Sequence, residues 1–435
     1  MFSKTPLFIV IIFVLTSNLH AATYFVRSGA SGNGANWANA WGNVSSIAWS
    51  SLSPGDIVCV AGGTYSGQIT TGKSGVSGSP IVIRRATATD PNCGSVTSGW
   101  NSSYDSQVVI GGITLANDYV TIDGAVPNGI TMALAPGNNS AVSVSAPTND
   151  VTLRYIEVSG PCTPSGCNQT GDGRSINLNN WNGSSYDLQN NMTIQFANLH
   201  GACTILWSAH STNLIIEHSR FADSIDNTPG NPYCHPNVIA EQDSTNITFR
   251  YNEVTNWQVE GIMACPNGGC SSSWAIYGNV WHDPYGGGSV ARVLEAQSNA
   301  NGPYLLYNNT FVNIGFAVVN TANGGSFTST SLGRNNIYWN SAGPGLPSDD
   351  YDLSSAALSE ANGEGNAANP FVNSGAQTIA GYHLSAHTTP GLNLGSPYNI
   401  DYDGNSRSTW DRGAFEFNGS AVSPAAPTGL NGQVQ

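Results

Sequence analysis

The chain alternates apolar and polar residues in short runs, and from residue 150 onward the same run recurs. Copies begin at Asp150, Asn191, Asn213, Asn246, Ser273, Pro303 and Ser331. The block after Asn213 reads LIIEHSRFAD, and the one after Asn246 reads ITFRYNEVTN. A period of two marks a half-buried strand; a helical repeat would recur every three or four residues. Aligned on Leu153, Ile194, Ile216, Phe249, Ile276, Leu306 and Leu332, the blocks are apolar two residues earlier (Val151, Met192, Leu214, Ile247, Trp274, Tyr304). They are apolar again five residues later (Val158, Leu199, Phe221, Val254, Trp281, Phe311, Ile337). Five is an odd offset, which a straight strand would send to its opposite face. The chain must therefore turn a corner between the two columns. Asn252, Asn279, Asn309 and Asn335 mark that corner. Asparagine tolerates left-handed backbone, and its amide can bond the asparagine of the next coil.

Such a block cannot bury its apolar face alone, and stacking its neighbours solves that. The predicted unit is a coil of about 22–33 residues, made of short parallel strands stacked at about 4.8 Å, with loops of variable length at its corners. This is an all-β parallel β-helix, a single solenoid domain with projecting loops. A β-sandwich or propeller would need hairpin turns between the blocks, and Asn-Gly or Asp-Gly pairs do not occur there at hairpin spacing.

The blocks resemble the NxTIxxNxF repeats of secreted right-handed parallel β-helix proteins, the pectate-lyase-like superfamily. The segment LSPGDIVCVAGGTYSGQI from Leu52 is similar to the opening of many members, and DYDGNSRSTWDRGAFEF from Asp401 resembles a closing segment. The resemblance spans roughly residues 23–417 and implies a right-handed solenoid. It implies no single activity, because that superfamily hosts lyases, glycoside hydrolases, epimerases, esterases and adhesins. No catalytic motif of those enzymes matches. Their β-elimination uses a basic side chain, often lysine, with calcium or another cation on the uronate.

Composition narrows the picture. Only 9% of the 435 residues are charged, and the net charge is −14. Sparse charge argues against disorder, and an acidic chain argues against a nucleic-acid partner. Lys4, the apolar run Leu7–Leu15 and the small residues at Ala21 and Ala22 read as a signal peptide over 1–21. The domain then covers 22–417, and 418–435 is a Pro/Ala/Gly-rich tail. A secreted, extracellular or periplasmic protein is expected, monomeric and without a transmembrane segment. Export permits disulfides among the 8 cysteines. Simple proximity pairs Cys59 with Cys93, Cys162 with Cys167, Cys203 with Cys234 and Cys265 with Cys270. Zinc bound through Cys234 and His235 is the alternative.

Charge is so scarce that its clustering carries information. Acids, arginines and four of the eight histidines concentrate between His210 and Glu295. Aligned second strands put Glu241 and Glu295 two coils apart, about 10 Å at that stacking distance, with Glu260 between them. Such a row suits a glycosidase acid and base. His235 and Arg292 complete the catalytic candidates. Trp257, Arg250 and His282 are the substrate-binding candidates; Trp181, Trp207 and Trp281 also fall near corners. Asp223 and Asp283, in an all-oxygen column, are candidate calcium ligands. Each carboxylate also has a bland reading as a solvated, coil-to-coil hydrogen-bonded group. After signal cleavage Lys73 is the only lysine, which weakens a lysine-based lyase. Two functions remain: a polysaccharide lyase or glycoside hydrolase, or a non-catalytic, adhesive glycan-binding surface. The acidic surface favours a neutral or calcium-bridged glycan.

Overall fold

The computed structural model describes residues 21–135, 137, 140–163, 166–167, 171–226, 234–265, 272–298 and 302–419. All but the last residue of the expected signal peptide, and the tail from residue 420, lie outside them. A full coil gives one strand to each of three long parallel sheets. In one coil these are Ile247–Arg250 in the first sheet, Glu253–Thr255 in the second and Glu260–Ala264 in the third. The chain then re-enters the first sheet at Trp274–Tyr277. The first sheet has 12 strands, the second 11 and the third 9. No helix among the described residues is long and apolar enough to cross a membrane.

The anchor column is in register from Leu153 through Ile194, Ile216, Phe249 and Ile276 to Leu306. It continues to Gly333, not to Leu332. The expected final block is thus one residue out of step, and a one-residue slip exchanges the two faces of a strand. Tyr338 therefore takes the inward position expected for Ile337.

The asparagine corner forms as a continuous ladder. Asn279 Oδ1 accepts from the backbone N of Asn252 at 2.9 Å and from its Nδ2 at 3.1 Å. Asn309 does the same for Asn279, and Asn336 for Asn309. Asp352 ends the row. The same slip removes Asn335, which instead donates to the Leu392 carbonyl.

Strands of the third sheet break strict alternation. Ile205–Leu206, Val238–Ile239 and Val293–Leu294 each place two consecutive residues wholly inside. Gly261 holds the equivalent place in its strand. A Cβ there would lie 2.5 Å from the Trp281 ring, so only glycine fits beneath that indole. The bend turns residues on both sides of it outward, giving this sheet two outward columns.

A C-terminal segment folds back over the second sheet and its corner with the first. Tyr382 donates to Asp283 at 2.5 Å, Ala414 to Thr310 Oγ1 at 2.9 Å, and Tyr398 packs edge-on against Tyr277 and Tyr307. Disulfides join Cys59–Cys93, Cys162–Cys167 and Cys203–Cys234. Cys265 is disulfide-bonded as well, and its expected partner Cys270 lies outside the described residues. Bonded sulfurs are no zinc ligands, so the zinc alternative falls for Cys234.

Candidate functional site on the third sheet

Two columns line the outer face of the third sheet. One runs Asn237, Glu260, Arg292 and Ala317. The other runs Asn177, Trp207, Ala240, Met263, Glu295 and Asn320. Arg292 links them. Its Nη2 donates to Glu260 Oε1 at 2.7 Å, and its Nε makes a closer contact with Glu295 Oε2. Glu295 also accepts from Gln297 Nε2 at 2.5 Å and from Asn320 Nδ2 at 2.6 Å. Two carboxylates from neighbouring strands thus share one guanidinium. Phe316, 49% exposed, lies 5.7 Å from that guanidinium.

Burial drives the Glu260 carboxyl up to about 7; Arg292 opposes the rise and Glu295 adds to it. Desolvation penalises the charged form, and a second carboxylate nearby does the same. Glu260 therefore exchanges its proton near neutrality. Further along the face, Arg174 pairs with Asp172 and stacks over Trp207, its guanidinium carbon 4.2 Å from the ring centre.

The expected row of Glu241 and Glu295 does not form. Glu241 is in register with Ser208 and Ala264, whereas Glu295 is in register with Ala240 and Met263. The strands starting at Asn237 and Arg292 are in register as expected, but within them Glu241 stands one position beyond Glu295, so the two side chains face opposite sides of the sheet. Glu241 points into the solenoid and is fully buried, accepting from Ser244 N and Ser272 Oγ at 2.7 Å each. Glu260 and Glu295 are the pair that meets. His235 stays exposed two residues before Asn237, and its carbonyl accepts from Thr204 Oγ1 at 2.9 Å.

The expected binding residues are dispersed. Trp257 is no platform: it is wholly buried against Trp281 and donates Nε1 to the Arg292 carbonyl at 3.0 Å. Arg250 sits on the first sheet, between Glu217 and the Tyr277 hydroxyl. His282 belongs to the second sheet, buried under Tyr382, with Asp283 at 2.9 Å and Glu253 at 3.2 Å. Burial disfavours its charge, but these two carboxylates outweigh that and raise its pKa.

Asp223 and Asp283 hold a second side-chain ladder. Asp223 accepts from Asn256 at 2.6 Å, and Asp283 accepts from Asn313 at 2.6 Å as well as from Tyr382. Amide and hydroxyl donors occupy Oδ1 of Asp223 and both carboxylate oxygens of Asp283. Among the described residues no group of three or more His, Cys, Asp or Glu has an arrangement that could hold a metal ion. Asp172, Gln297, Phe316 and Asn320 were missed. Aligning Arg292 with Ala317 rather than with Phe316 would have brought Asn320 opposite Glu295.

No family model and no curated sequence matches the chain. Solved structures do. A pectate lyase is 15% identical with a TM-score of 0.53, over 92% of this chain and 98% of that one. An alginate lyase from Paenibacillus is 14% identical with a TM-score of 0.44, over 78% of this chain and 98% of that one. The fold is the pectate-lyase-like right-handed parallel β-helix. In this β-helix the single described lysine, Lys73, donates to the Leu52 carbonyl in the first coils. The third-sheet face carries Arg174 and Arg292, paired with Asp172, Glu260 and Glu295.

Proposed function

We propose that the chain cleaves glycosidic bonds at the outer face of the third sheet, with Glu260 as the proton-transferring group. The observation that carries this reading is the Glu260–Arg292–Glu295 arrangement. It places a carboxyl that titrates near 7 beside a second carboxylate, on a face bordered by Phe316 and Trp207. A protonated carboxyl can hand its proton to a leaving glycosidic oxygen. Glu295 is 1% exposed and acts from beneath, holding Arg292 in place. Arg292 then orients Glu260 and offers its remaining N–H groups to sugar hydroxyls. Nη1 of Arg292 donates to the nearby Val290 carbonyl, at 3.1 Å.

The test is incubation with a panel of neutral and acidic polysaccharides, with and without calcium. New reducing ends without ultraviolet absorbance support hydrolysis, and absorbing products mean elimination. Glu260→Gln should lower the rate about 10²–10⁴-fold, the usual worth of a positioned acid or base. Equal rates would remove Glu260 from the chemistry.

The second reading is a non-catalytic glycan-binding face. It is favoured by the complete pairing of charge there, Asp172 with Arg174 and both glutamates with Arg292. Binding across the panel without turnover by the wild type would select it.

A further inference from the structure

Past the C-terminal end of the strand Arg174–Leu178, in the interior of the third sheet, the chain forms a short hairpin. Trp181 and Tyr186 bridge across it, their rings edge-to-face at 5.1 Å. Trp181 is 57% exposed and is the most exposed aromatic among the described residues. An indole left in water forgoes much of the stabilisation that burial gives so large a side chain. The hairpin nonetheless holds it there firmly. Asp187 accepts from Asn180 Nδ2 at 2.7 Å and from Asn182 Nδ2 at 2.8 Å. Asn182 Oδ1 caps the backbone N–H groups of Ser184 and Ser185 at 3.1 Å. His210, directly after the strand that carries Trp207, donates Nδ1–H to the Tyr186 carbonyl at 2.8 Å. The polar network therefore fixes the hairpin to the coil of Trp207.

Trp207 and Glu295 share one register column, three strand spacings apart, or about 14 Å. Aromatic and reacting groups are thus strung along the solenoid axis over the length of several sugar rings. The charges between them are internally neutralised, and acid exceeds base around Arg292. Among the described residues of this face both arginines are paired with carboxylates, which leaves no unpaired cation for a uronate.

We infer that the third-sheet face binds an extended neutral glycan along the solenoid axis, and that the Trp181 hairpin is a distal stacking subsite for it. A sugar ring presents an apolar C–H face to an indole and a rim of hydroxyls to the asparagines and serines around it. This inference rests on the reading of Glu260 and Glu295 as the reaction centre.

The test uses the full chain in a Glu260→Gln background, so that ligands stay intact. Affinity for xylo-, cello- and manno-oligosaccharides, from disaccharides to octasaccharides, is measured with and without Trp181→Ala. Oligogalacturonates serve as the acidic arm. Trp181 is exposed, and an unchanged melting temperature confirms that its variant folds. Long neutral oligosaccharides should bind about tenfold more weakly to the Trp181 variant, as expected for the loss of one aromatic contact. The loss should shrink as the ligand shortens. Equal affinities at every length overturn the subsite, as does an absence of neutral binding at millimolar ligand. Preference for oligogalacturonate overturns the neutral class. A length-dependent loss combined with full activity of the single Glu260→Gln variant would sink the catalytic reading and leave the subsite standing. The reverse pattern would do the opposite.

Discussion

Arg292 Nη2 donates to Glu260 Oε1 at 2.7 Å across two adjacent strands in register. The same guanidinium holds Glu295, which is 1% exposed. Arg292 is therefore the positive charge that keeps two nearly buried carboxylates tolerable. Replacing it by alanine leaves both without a counter-ion, and breaking such a pair costs about 3–5 kcal/mol in a fully buried setting. Arg292 is 18% exposed, so a loss at or below the lower end is expected in chemical denaturation. Arg292→Lys should recover part of it, because the charge returns without the planar fork.

The pH dependence of the same variant has a definite sign. Arg292 holds the Glu260 pKa down against burial, and without it that pKa rises above its present value of about 7. A reaction that needs protonated Glu260 fades above neutrality in the wild type. In Arg292→Lys this alkaline limb should stay near its wild-type position. In Arg292→Ala it should move to higher pH, read from the pH profile of kcat/KM. An unmoved limb in Arg292→Ala would mean that Glu260 does not control it.

Glu241 is the opposite case, a carboxyl sealed inside the solenoid. Burial raises it from an ordinary 4.5 to about 7, against hydrogen bonds from Ser272 and Ser244 that favour its charge. A carboxyl with a raised folded pKa binds its proton more tightly in the native state. Stability is then highest below about 4.5 and falls as pH rises toward about 7. The loss is on the order of 3 kcal/mol. Glu241→Gln keeps an acceptor for Ser244 N and removes the charge. Its melting temperature should exceed that of the wild type at pH 8 and match it near pH 4.5. Equal pH dependence of the two proteins would refute the buried-charge account.

Asn279 spends its whole amide on the ladder. Its Oδ1 serves Asn252, and its Nδ2 donates to the Phe249 carbonyl at 2.9 Å and to Asn309 at 3.0 Å. Asn279→Leu fits the size and strands these buried groups. A loss of about 2–4 kcal/mol is expected by urea denaturation, from unsatisfied donors and acceptors at two neighbouring coils. A loss below about 0.5 kcal/mol would show that the ladder is ornamental.

The Cys203–Cys234 bridge spans 31 residues and ties down the chain just before Asn237, the register partner of Glu260. Closing a loop of that size is worth about 3–4 kcal/mol in the chain-entropy account. Cys203→Ala with Cys234→Ala should lower the melting temperature, and reductant should then have less further effect than it has on the wild type. If the strand at Asn237 also loosens, activity should fall well below the melting temperature, and comparing the two readouts separates these effects.

The sequence by itself determined the coil. Alternation, the odd offset between apolar columns and the asparagines at the corner are local, repeated signals, and stacking equivalent positions enforces them in every coil. Three of the disulfides were legible for a similar reason, since cysteines near in sequence met in space. The concentration of charge before Glu295 also marked the stretch of chain that holds the Glu260–Arg292–Glu295 cluster. Only the tertiary structure decided which of those charges meet. The third-sheet strands bend through pairs such as Val293–Leu294, so alternation no longer tells which side chain faces out. One residue of register then separates Glu241, sealed in the core, from Glu295, which shares an arginine with Glu260. Trp257 and Trp181 were equally hydrophobic as letters. Burial under the neighbouring coil made one of them core, and a polar hairpin held the other in solvent. Contacts between coils are set by register, and register is a property of the stack.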